Sequence, residues 1–169
     1  GDIIGILNAD DFYYKNTFKI VNKYFINKKI DYLFGSINHK KIYHSFYPEK
    51  IWYKLNVVPS HSVSFFIKKK SQFKIGLYDS SFKYSADRDL FYRLFNSNQK
   101  GIATKRREIF GKFDINGLSS KLSYFEILKE EFKVRHKNKQ NIIFLFGLLI
   151  AVLAHKIIVL TIKKKWKSL

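Results

Sequence analysis

The sequence contains no cysteine and no methionine, and only two of its 169 residues are proline. The absence of cysteine excludes disulfide bonds, thiolate metal sites and a cysteine nucleophile. The absence of methionine, in a chain that opens directly on an apparent strand, leads us to expect the C-terminal part of a longer protein. With 46% hydrophobic and 18% aromatic residues, the chain is too apolar to be disordered, and its length suits one packed domain.

Acidic residues are scarce, because 13 Asp and Glu stand against 32 Lys and Arg, for a formal net charge of +19. Such a charge suits a polyanionic partner: nucleic acid, an anionic membrane or a phosphate-bearing substrate. We expect no nucleic-acid partner, because lysine rather than arginine supplies most of the charge and no zinc-finger, RNA-recognition or basic-zipper pattern is present. The basic end is the C-terminus, since residues 132–169 hold nine Lys and Arg and no Asp or Glu.

The order of the hydrophobic patterns predicts an α/β fold. Residues 2–7 and 31–37 are short apolar runs typical of buried strands, and between them the apolar residues of 16–26 recur at helical spacing. Strand, helix and strand in this order favour a sheet flanked by helices. The further predicted elements are a strand at 60–67, a helical turn at 70–75 ended by Gly76, a helix from Ala86, extended chain at 101–113 and a helix at 122–135 with Glu126 and Glu130 on one exposed face.

The last thirty residues differ from the rest in composition. Residues 142–154 are all apolar or small, and the run continues over 157–162 after His155 and Lys156. As a helix this stretch would be about 30 Å long, enough to cross the hydrocarbon core of a bilayer. A lysine in its middle costs about 3 kcal/mol on insertion scales, and cationic flanks suit a helix that lies in an anionic interface. We expect membrane association, with the interfacial orientation favoured over the spanning one and a buried helix as the alternative.

Four of the 13 carboxylates form two tight pairs, Asp10 with Asp11 and Asp87 with Asp89. The first pair follows a predicted strand, and the carboxyl edge of an α/β sheet is where ligands usually bind. Oxygen ligands in that position suit a hard cation such as Mg²⁺ or Mn²⁺. The alternative is that these residues only cap a helix or close a turn. Spacing alone leaves both interpretations open.

Two ordered blocks of sequence resemble a known enzyme family. The segment GDIIGILNADDFY at 1–13 resembles the "GD-I-I-x-x-L-N-[SA]-D-D-x-Y" segment of family 2 glycosyltransferases. The segments HSVSFF at 61–66, IGLYDSSF at 75–82 and ADRDLFYRL at 86–94 are similar to the "H-x-x-x-F-F … G-L-Y-D-x-x-F … A-x-D-x-D-L-x-x-R-L" pattern of bacterial surface-polysaccharide transferases. The resemblance covers roughly residues 1–120. It implies part of the GT-A fold, a Rossmann-like mixed sheet flanked by helices, and sugar transfer with inversion.

Carried over position by position, the resemblance implies a role for each acidic pair. Asp10 would be the ligand of a divalent cation, Mg²⁺ or Mn²⁺, with Asn8 in place of the first Asp of the family's motif. Asp87 would be the general base, although Ala86 stands where the family has Glu. The remaining substrate contacts that we expect come from Asn8, Asp11, His61, Asp89 and Arg93. The segment NGLSS at 116–120 resembles the family's Gly-Gly-x-Ser loop, which predicts a mobile lid.

The resemblance also implies the setting of the reaction. A nucleotide sugar would be the donor, and a hydroxyl of a lipid-linked or saccharide acceptor would receive the sugar during O-antigen, capsule or lipopolysaccharide synthesis. The protein would work at the cytoplasmic face of the inner (plasma) membrane, peripheral or anchored by its C-terminal helix. Residues 1–120 would then be the C-terminal half of a GT-A domain, 121–140 a helical connector and 141–169 a basic, amphipathic or membrane-associated helix.

Since the family's first nucleotide-binding half precedes this region, we expect the chain to be inactive alone. Two other classes of function remain open at this point. One is a non-catalytic module that binds a membrane surface, in which both acidic pairs are caps. The other is a basic nucleic-acid-binding domain, which predicts a lysine face free of carboxylates.

Overall fold

The computed structural model describes residues 1–54, 57–59, 61–113 and 123–167, and shows two four-stranded mixed sheets flanked by helices, followed by a long apolar helix. The strands are β1 (Ile3–Gly5), β2 (Phe12–Tyr13), β3 (Tyr32–Phe34), β4 (Ser36–His39), β5 (Lys41–Tyr43), β6 (Phe65–Lys68), β7 (Gly101–Ala103) and β8 (Ile109–Lys112). The helices are α1 (Thr17–Asn27), α2 (Lys69–Ile75), α3 (Ala86–Phe95), α4 (Tyr124–Lys137) and α5 (Ile142–Lys167). This mixed α/β architecture is consistent with a partial Rossmann-like fold, as the sequence predicts.

The first sheet has the strand order β1-β6-β3-β7. Strands β1 and β3 both run antiparallel to β6, and β7 runs parallel to β3. The carboxyl ends of β1, β3 and β7 therefore share one edge of the sheet with the start of β6. We call this the carboxyl edge.

Successive residues of the first sheet enter two separate cores, as the two-residue period of a strand requires. On one face, Tyr32 and Phe34 of β3 pack with Leu90 and Leu94 of α3. On the other face, Leu33 packs with the half of the core that α1 covers. Leu90 and Leu94 have no exposed surface, and burial of each such side chain contributes about 1.5–3 kcal/mol. Helices α1 and α3, which the apolar spacing predicts, are confirmed, and each packs on one face of the first sheet.

The predicted single strand over 31–37 is wrong, because the chain changes sheet at Gly35. Strand β3 belongs to the first sheet and β4 to the second, whose order is β2-β8-β4-β5. A Cβ atom at Gly35 would lie 2.3 Å from the ring of Phe110. Only glycine lets β8 approach closely enough for both sheets to share this corner.

Two further segments depart from the expected elements. Of the strand predicted over 60–67, the part from Ser62 to Ser64 is a 3₁₀ turn, and the strand runs from Phe65 to Lys68. In α4, Glu126 is exposed and completes a capping box with Ser123, but Glu130 is buried and accepts a hydrogen bond from the backbone N–H of Tyr84. The prediction of an exposed Glu130 is wrong, because the loop before α3 covers that side of α4.

Helix α5 exposes many apolar side chains. Residues Ile142–Val159 have a mean hydropathy of 2.7 over 18 residues, which by length and composition is enough to cross a membrane. Among the described side chains of this stretch only Leu145 is buried, and the helix contacts α4. Apolar residues occur on all sides of the helix, so it is not amphipathic in the part that the structure describes.

Candidate active site

The turn after β1 places two carboxylates at the carboxyl edge in different environments. The backbone N–H of Asp11 donates to the carbonyl oxygen of Asn8 at 3.2 Å, and the Asn8 side-chain amide donates to Asp11 Oδ2 at 3.3 Å. Asp11 is thereby turned inward and buried, whereas Asp10 is exposed. In the parts of the chain that the structure describes, the Asp10 carboxylate has no hydrogen bond or ion pair. Of the two, Asp10 has the free oxygen atoms that a hard cation needs.

Among the described residues, protein side chains alone form no complete metal site. Within residues 1–54, 57–59, 61–113 and 123–167, no three His, Asp or Glu side chains lie close enough together to hold a metal ion by themselves. A cation at Asp10 would therefore take most of its ligands from a bound ligand and water. This arrangement suits Mg²⁺, which usually keeps several waters and binds through one or two carboxylates plus substrate phosphates.

The second acidic pair begins α3 and divides between the surface and the interior. Asp87 is the second residue of the helix, and the backbone N–H of Arg88 donates to its Oδ1 at 2.7 Å. The side chain is half-buried, and loss of solvent raises the pKa of Asp87 to about 6; the neighbouring Arg88 opposes the rise and Glu131 of α4 adds to it. At pH 7 about nine in ten of these carboxylates are still ionised.

Asp89 has no exposed surface and is fully engaged by other parts of the protein. Its Oδ2 accepts hydrogen bonds from Arg93 Nε and Lys137 Nζ, both at 2.9 Å, and its Oδ1 accepts one from the side-chain amide of Asn138 at 2.9 Å. Asp89 thus ties α3 to the end of α4. With no exposed surface, Asp89 offers no oxygen atom to a substrate in this structure.

Arg93 is likewise engaged in the fold. Besides its ion pair with Asp89, its guanidinium donates to the carbonyl oxygens of Ile75 and Leu77 at 2.5 and 2.8 Å. These bonds fix the chain on both sides of Gly76, whose φ of +86° lies in the region that favours glycine. Arg93 therefore positions the loop that leads to α3 rather than reaching toward a substrate.

Two tyrosines connect the first acidic block to the second. Burial and the charge of Asp11 raise the pKa of Tyr13 to about 12. Burial, together with the charge of Asp87 and the neighbouring Tyr13, raises the pKa of Tyr78 well above its usual value, although Arg93 opposes the shift. Each member of the row Asp11, Tyr13, Tyr78 and Asp87 is thus close enough to the next to influence its protonation. The two blocks, far apart in the sequence, meet in one region.

His61 stands at the same edge, immediately before the 3₁₀ turn that leads into β6. Its ring stacks on Phe113, with centroids 3.6 Å apart and planes 24° apart. Its carbonyl oxygen accepts hydrogen bonds from the N–H and hydroxyl of Ser64. The segment at 116–120 that is predicted to be a lid lies outside the described residues.

Three groups at the site were not singled out from the sequence. Tyr13 and Tyr78 lie inside the two blocks that resemble the family, so their positions were a usable signal. Glu131 was not foreseeable, because it reaches the site from α4 through an ion pair with Arg88. Its other oxygen pairs with the buried Arg135 at 2.6 Å, so α4 holds the start of α3 in place.

A cleft of about 590 Å³ lies away from these groups. Its lining includes Lys29, Tyr32, Trp52 and Gly101. Tyr32 and Gly101 begin β3 and β7, so the cleft opens at the edge of the sheet opposite the carboxyl edge. No residue that the sequence singles out as a site residue lines it.

Comparison with known proteins identifies the fold. No family model and no curated protein matches the sequence. Among solved structures, the chain is similar to S. aureus TarS, a glycosyltransferase, with a TM-score of 0.54 and 12% identity. The match covers 81% of this chain but 25% of the TarS chain, so this chain spans about a quarter of the length of that structure. At this identity the likeness shows a glycosyltransferase-like fold.

Proposed function

We propose that this chain contributes the metal and acceptor side of a glycosyltransferase that moves a sugar from a nucleotide-sugar donor to an acceptor hydroxyl with inversion. The observation that carries the proposal is the meeting of the Asp11–Tyr13 and Tyr78–Asp87 groups in one region of a glycosyltransferase-like fold. The free carboxylate of Asp10 belongs to the same turn as Asp11. If the acidic residues only capped helices or closed turns, the two blocks would have no need to lie in one region.

Asp87 is suited to act as the general base. Its carboxylate would accept the proton of the acceptor hydroxyl as the oxygen attacks the anomeric carbon, on the face opposite the departing diphosphate. A pKa of about 6 leaves the group mainly ionised at neutral pH while making it a stronger base than an ordinary aspartate. Arg88 and Glu131 hold the start of α3, and with it this carboxylate, in a fixed position.

Asp10 is suited to hold a divalent cation against the donor's phosphates. When bound, Mg²⁺ or Mn²⁺ would act there as a Lewis acid that stabilises negative charge on the leaving diphosphate. The carboxylate is exposed and without a protein partner among the described residues, which fits a ligand shared with phosphate and water. Asn8 would then orient Asp11 rather than bind metal directly, because its amide already donates to that carboxylate.

The proposed acceptor is a lipid-linked or saccharide molecule at the cytoplasmic face of the inner membrane, in the synthesis of a surface polysaccharide. Support comes from α5, whose apolar side chains are exposed along a length sufficient to span a bilayer. Apolar residues on all sides of α5 favour insertion over the interfacial orientation expected from the sequence. The same observation supports a second candidate, a module that binds membranes without catalysis.

The experiment that separates the two candidates measures cation binding and turnover. On this chain, Mn²⁺ binding in the presence of a nucleoside diphosphate is followed by electron paramagnetic resonance for the wild type, Asp10→Asn and the matched control Asp2→Asn. Asp2 is exposed and precedes the opposite end of β1. We expect Asp10→Asn to weaken Mn²⁺ binding at least tenfold and the control to leave it unchanged.

On the longer protein expected from the sequence, divalent-dependent release of nucleoside diphosphate is measured over a panel of nucleotide sugars and acceptors. The proposal requires turnover with at least one donor. Equal Mn²⁺ binding by Asp10→Asn and the wild type, with no donor consumed, would leave the non-catalytic module as the function.

A further inference from the structure

The segment from Tyr47 to Lys54 exposes an unusual set of side chains, and we call it the aromatic–lysine loop. Tyr47, Trp52 and Tyr53 are 43%, 37% and 55% exposed, although aromatic side chains of this size are usually largely buried. The ammonium groups of Lys50 and Lys54 lie 4.8 and 5.0 Å from the ring centroid of Tyr47. Amphipathic rings and two positive charges thus share one surface.

Buried side chains at the junction between α4 and α5 fix this loop. Arg135 Nη1 and Gln140 Nε2 both donate to the carbonyl oxygen of Trp52, at 2.8 and 2.5 Å, and Arg135 is 1% exposed. From the other side, the Tyr92 hydroxyl donates to the carbonyl oxygen of Ile51 at 2.8 Å. Gln140 lies two residues before α5 begins. The aromatic–lysine loop is therefore held next to the first turn of the apolar helix.

The surroundings of α5 indicate what the loop would meet. Ile143, Ile150 and Ile157 of α5 are each more than 60% exposed, which is unfavourable in water for so large an apolar surface. If α5 enters a bilayer, the residues beside its first turn lie at the level of the headgroups. Tyrosine and tryptophan are enriched at that depth because each ring has an apolar body and a polar group.

We propose that the aromatic–lysine loop is a second membrane contact, which docks on an anionic phospholipid surface while α5 enters the hydrocarbon. The proposal rests on the membrane association of α5 in the proposed function. Each lysine near an anionic leaflet strengthens binding about fivefold, and Lys50 and Lys54 provide two such charges against the single acid of the loop, Glu49. One helix alone leaves the domain free to turn about its axis, and a second contact fixes which edge of the sheet faces the membrane.

The two tryptophans of the chain provide a direct test. They are Trp52 and Trp166, so Trp166→Phe leaves Trp52 as the only tryptophan. This variant is mixed with vesicles of phosphatidylcholine alone or of equal parts phosphatidylcholine and phosphatidylglycerol, with bromine on the acyl chains at shallow or deep positions. We expect a blue shift of Trp52 emission and stronger quenching by shallow than by deep bromine on the anionic vesicles.

A matched pair of charge variants tests the lysines. Lys50→Gln with Lys54→Gln is compared with Lys19→Gln with Lys23→Gln, two exposed lysines of α1, which packs on the opposite face of the first sheet. Vesicle co-sedimentation measures affinity, and far-ultraviolet circular dichroism checks folding. We expect the loop variant to bind anionic vesicles roughly ten- to thirtyfold more weakly and the α1 variant to bind as the wild type does.

The outcomes separate the two membrane contacts. If the protein binds vesicles but Trp52 emission does not change, the loop contact is overturned and α5 is left as the sole one. The same conclusion follows if the loop variant and the α1 variant lose equal affinity for anionic vesicles. No binding to either kind of vesicle would overturn the membrane association of α5 together with the loop. Trp52 emission that shifts without vesicles, as protein concentration rises, would assign the loop to a second copy of the chain instead.

Discussion

The two carboxylates at the start of α3 lie two residues apart but have opposite surroundings. Asp87 keeps part of its surface open at the candidate site, whereas Asp89 has none and accepts hydrogen bonds from Arg93, Lys137 and Asn138. Two residues along an α-helix are separated by about 200° around its axis. One short acidic motif can therefore place one carboxylate at a site and the other in the core.

The largest effect that this comparison predicts is on turnover. In the longer protein expected from the sequence, Asp87→Asn should lower acceptor-dependent release of nucleoside diphosphate by about 10²–10⁴-fold, because an amide cannot take the acceptor's proton. The measurement is initial rate at saturating donor, with Asp2→Asn as the control. A variant that keeps turnover within threefold of the wild type would remove Asp87 from the base position.

The next effect concerns stability. Asp89→Asn should lower the free energy of unfolding by about 2–3 kcal/mol, since it leaves Arg93 without its counter-charge and Lys137 with only the part-exposed Asp79. Both cations retain some solvent exposure, which keeps the loss below the upper end for buried pairs. Urea denaturation followed by circular dichroism in a mild detergent measures it. Stability equal to that of Asp2→Asn would mean that the Asp89 network is not structural.

The smallest effect has the opposite sign. The pKa of Asp87 is about 6 in the folded chain and 3.8 for an ordinary aspartate, so the folded state holds more protons between pH 4 and pH 6. The stabilising contribution of Asp87 to the folded state is complete below pH 4 and is lost as the pH rises through 6. Asp87→Asn should remove that dependence and raise the free energy of unfolding at pH 7 by about 1–2 kcal/mol.

Urea denaturation of the wild type and Asp87→Asn at pH 4, 5, 6 and 7 tests this sign. The two curves of unfolding free energy against pH should separate as the pH rises. If Asp87→Asn is less stable than the wild type at pH 7, burial does not disfavour the ionised form of this carboxylate. The same substitution at positions 87 and 89 would then act alike, contrary to the comparison.

Elements with a strong hydrophobic period were predictable from the sequence, whereas the point at which a strand changes its pairing partner was not. The apolar spacing of α1 and α3 places each helix on a face of the first sheet, and both occur where the pattern indicates. The run over 31–37 reads as one strand, because nothing local distinguishes residues that pair with β6 from residues that pair with β8. The break at Gly35 follows from the ring of Phe110, which comes from a distant part of the chain.

The candidate site divides in the same way. Asp10, Asp11 and Asp87 could be singled out because acidic residues are rare here and the two blocks resemble one family. The inward orientation of Asp89 and Arg93 depends on Lys137 and Asn138, which lie more than forty residues further along the chain. The raised pKa of Asp87 likewise depends on burial, to which the charge of Glu131 in α4 adds, and no spacing in the sequence reveals either.

The sequence by itself determined the α/β class, the positive charge, the apolar C-terminal helix and the acidic residues available for chemistry. These follow from composition and from periods of two and 3.6 residues, which are local properties of a chain. Only the tertiary structure decided which carboxylates are open, which are closed inside ion networks, and that the aromatic–lysine loop stands beside α5. Those are contacts between segments distant in sequence, and burial and charge pairing act through space rather than along the backbone.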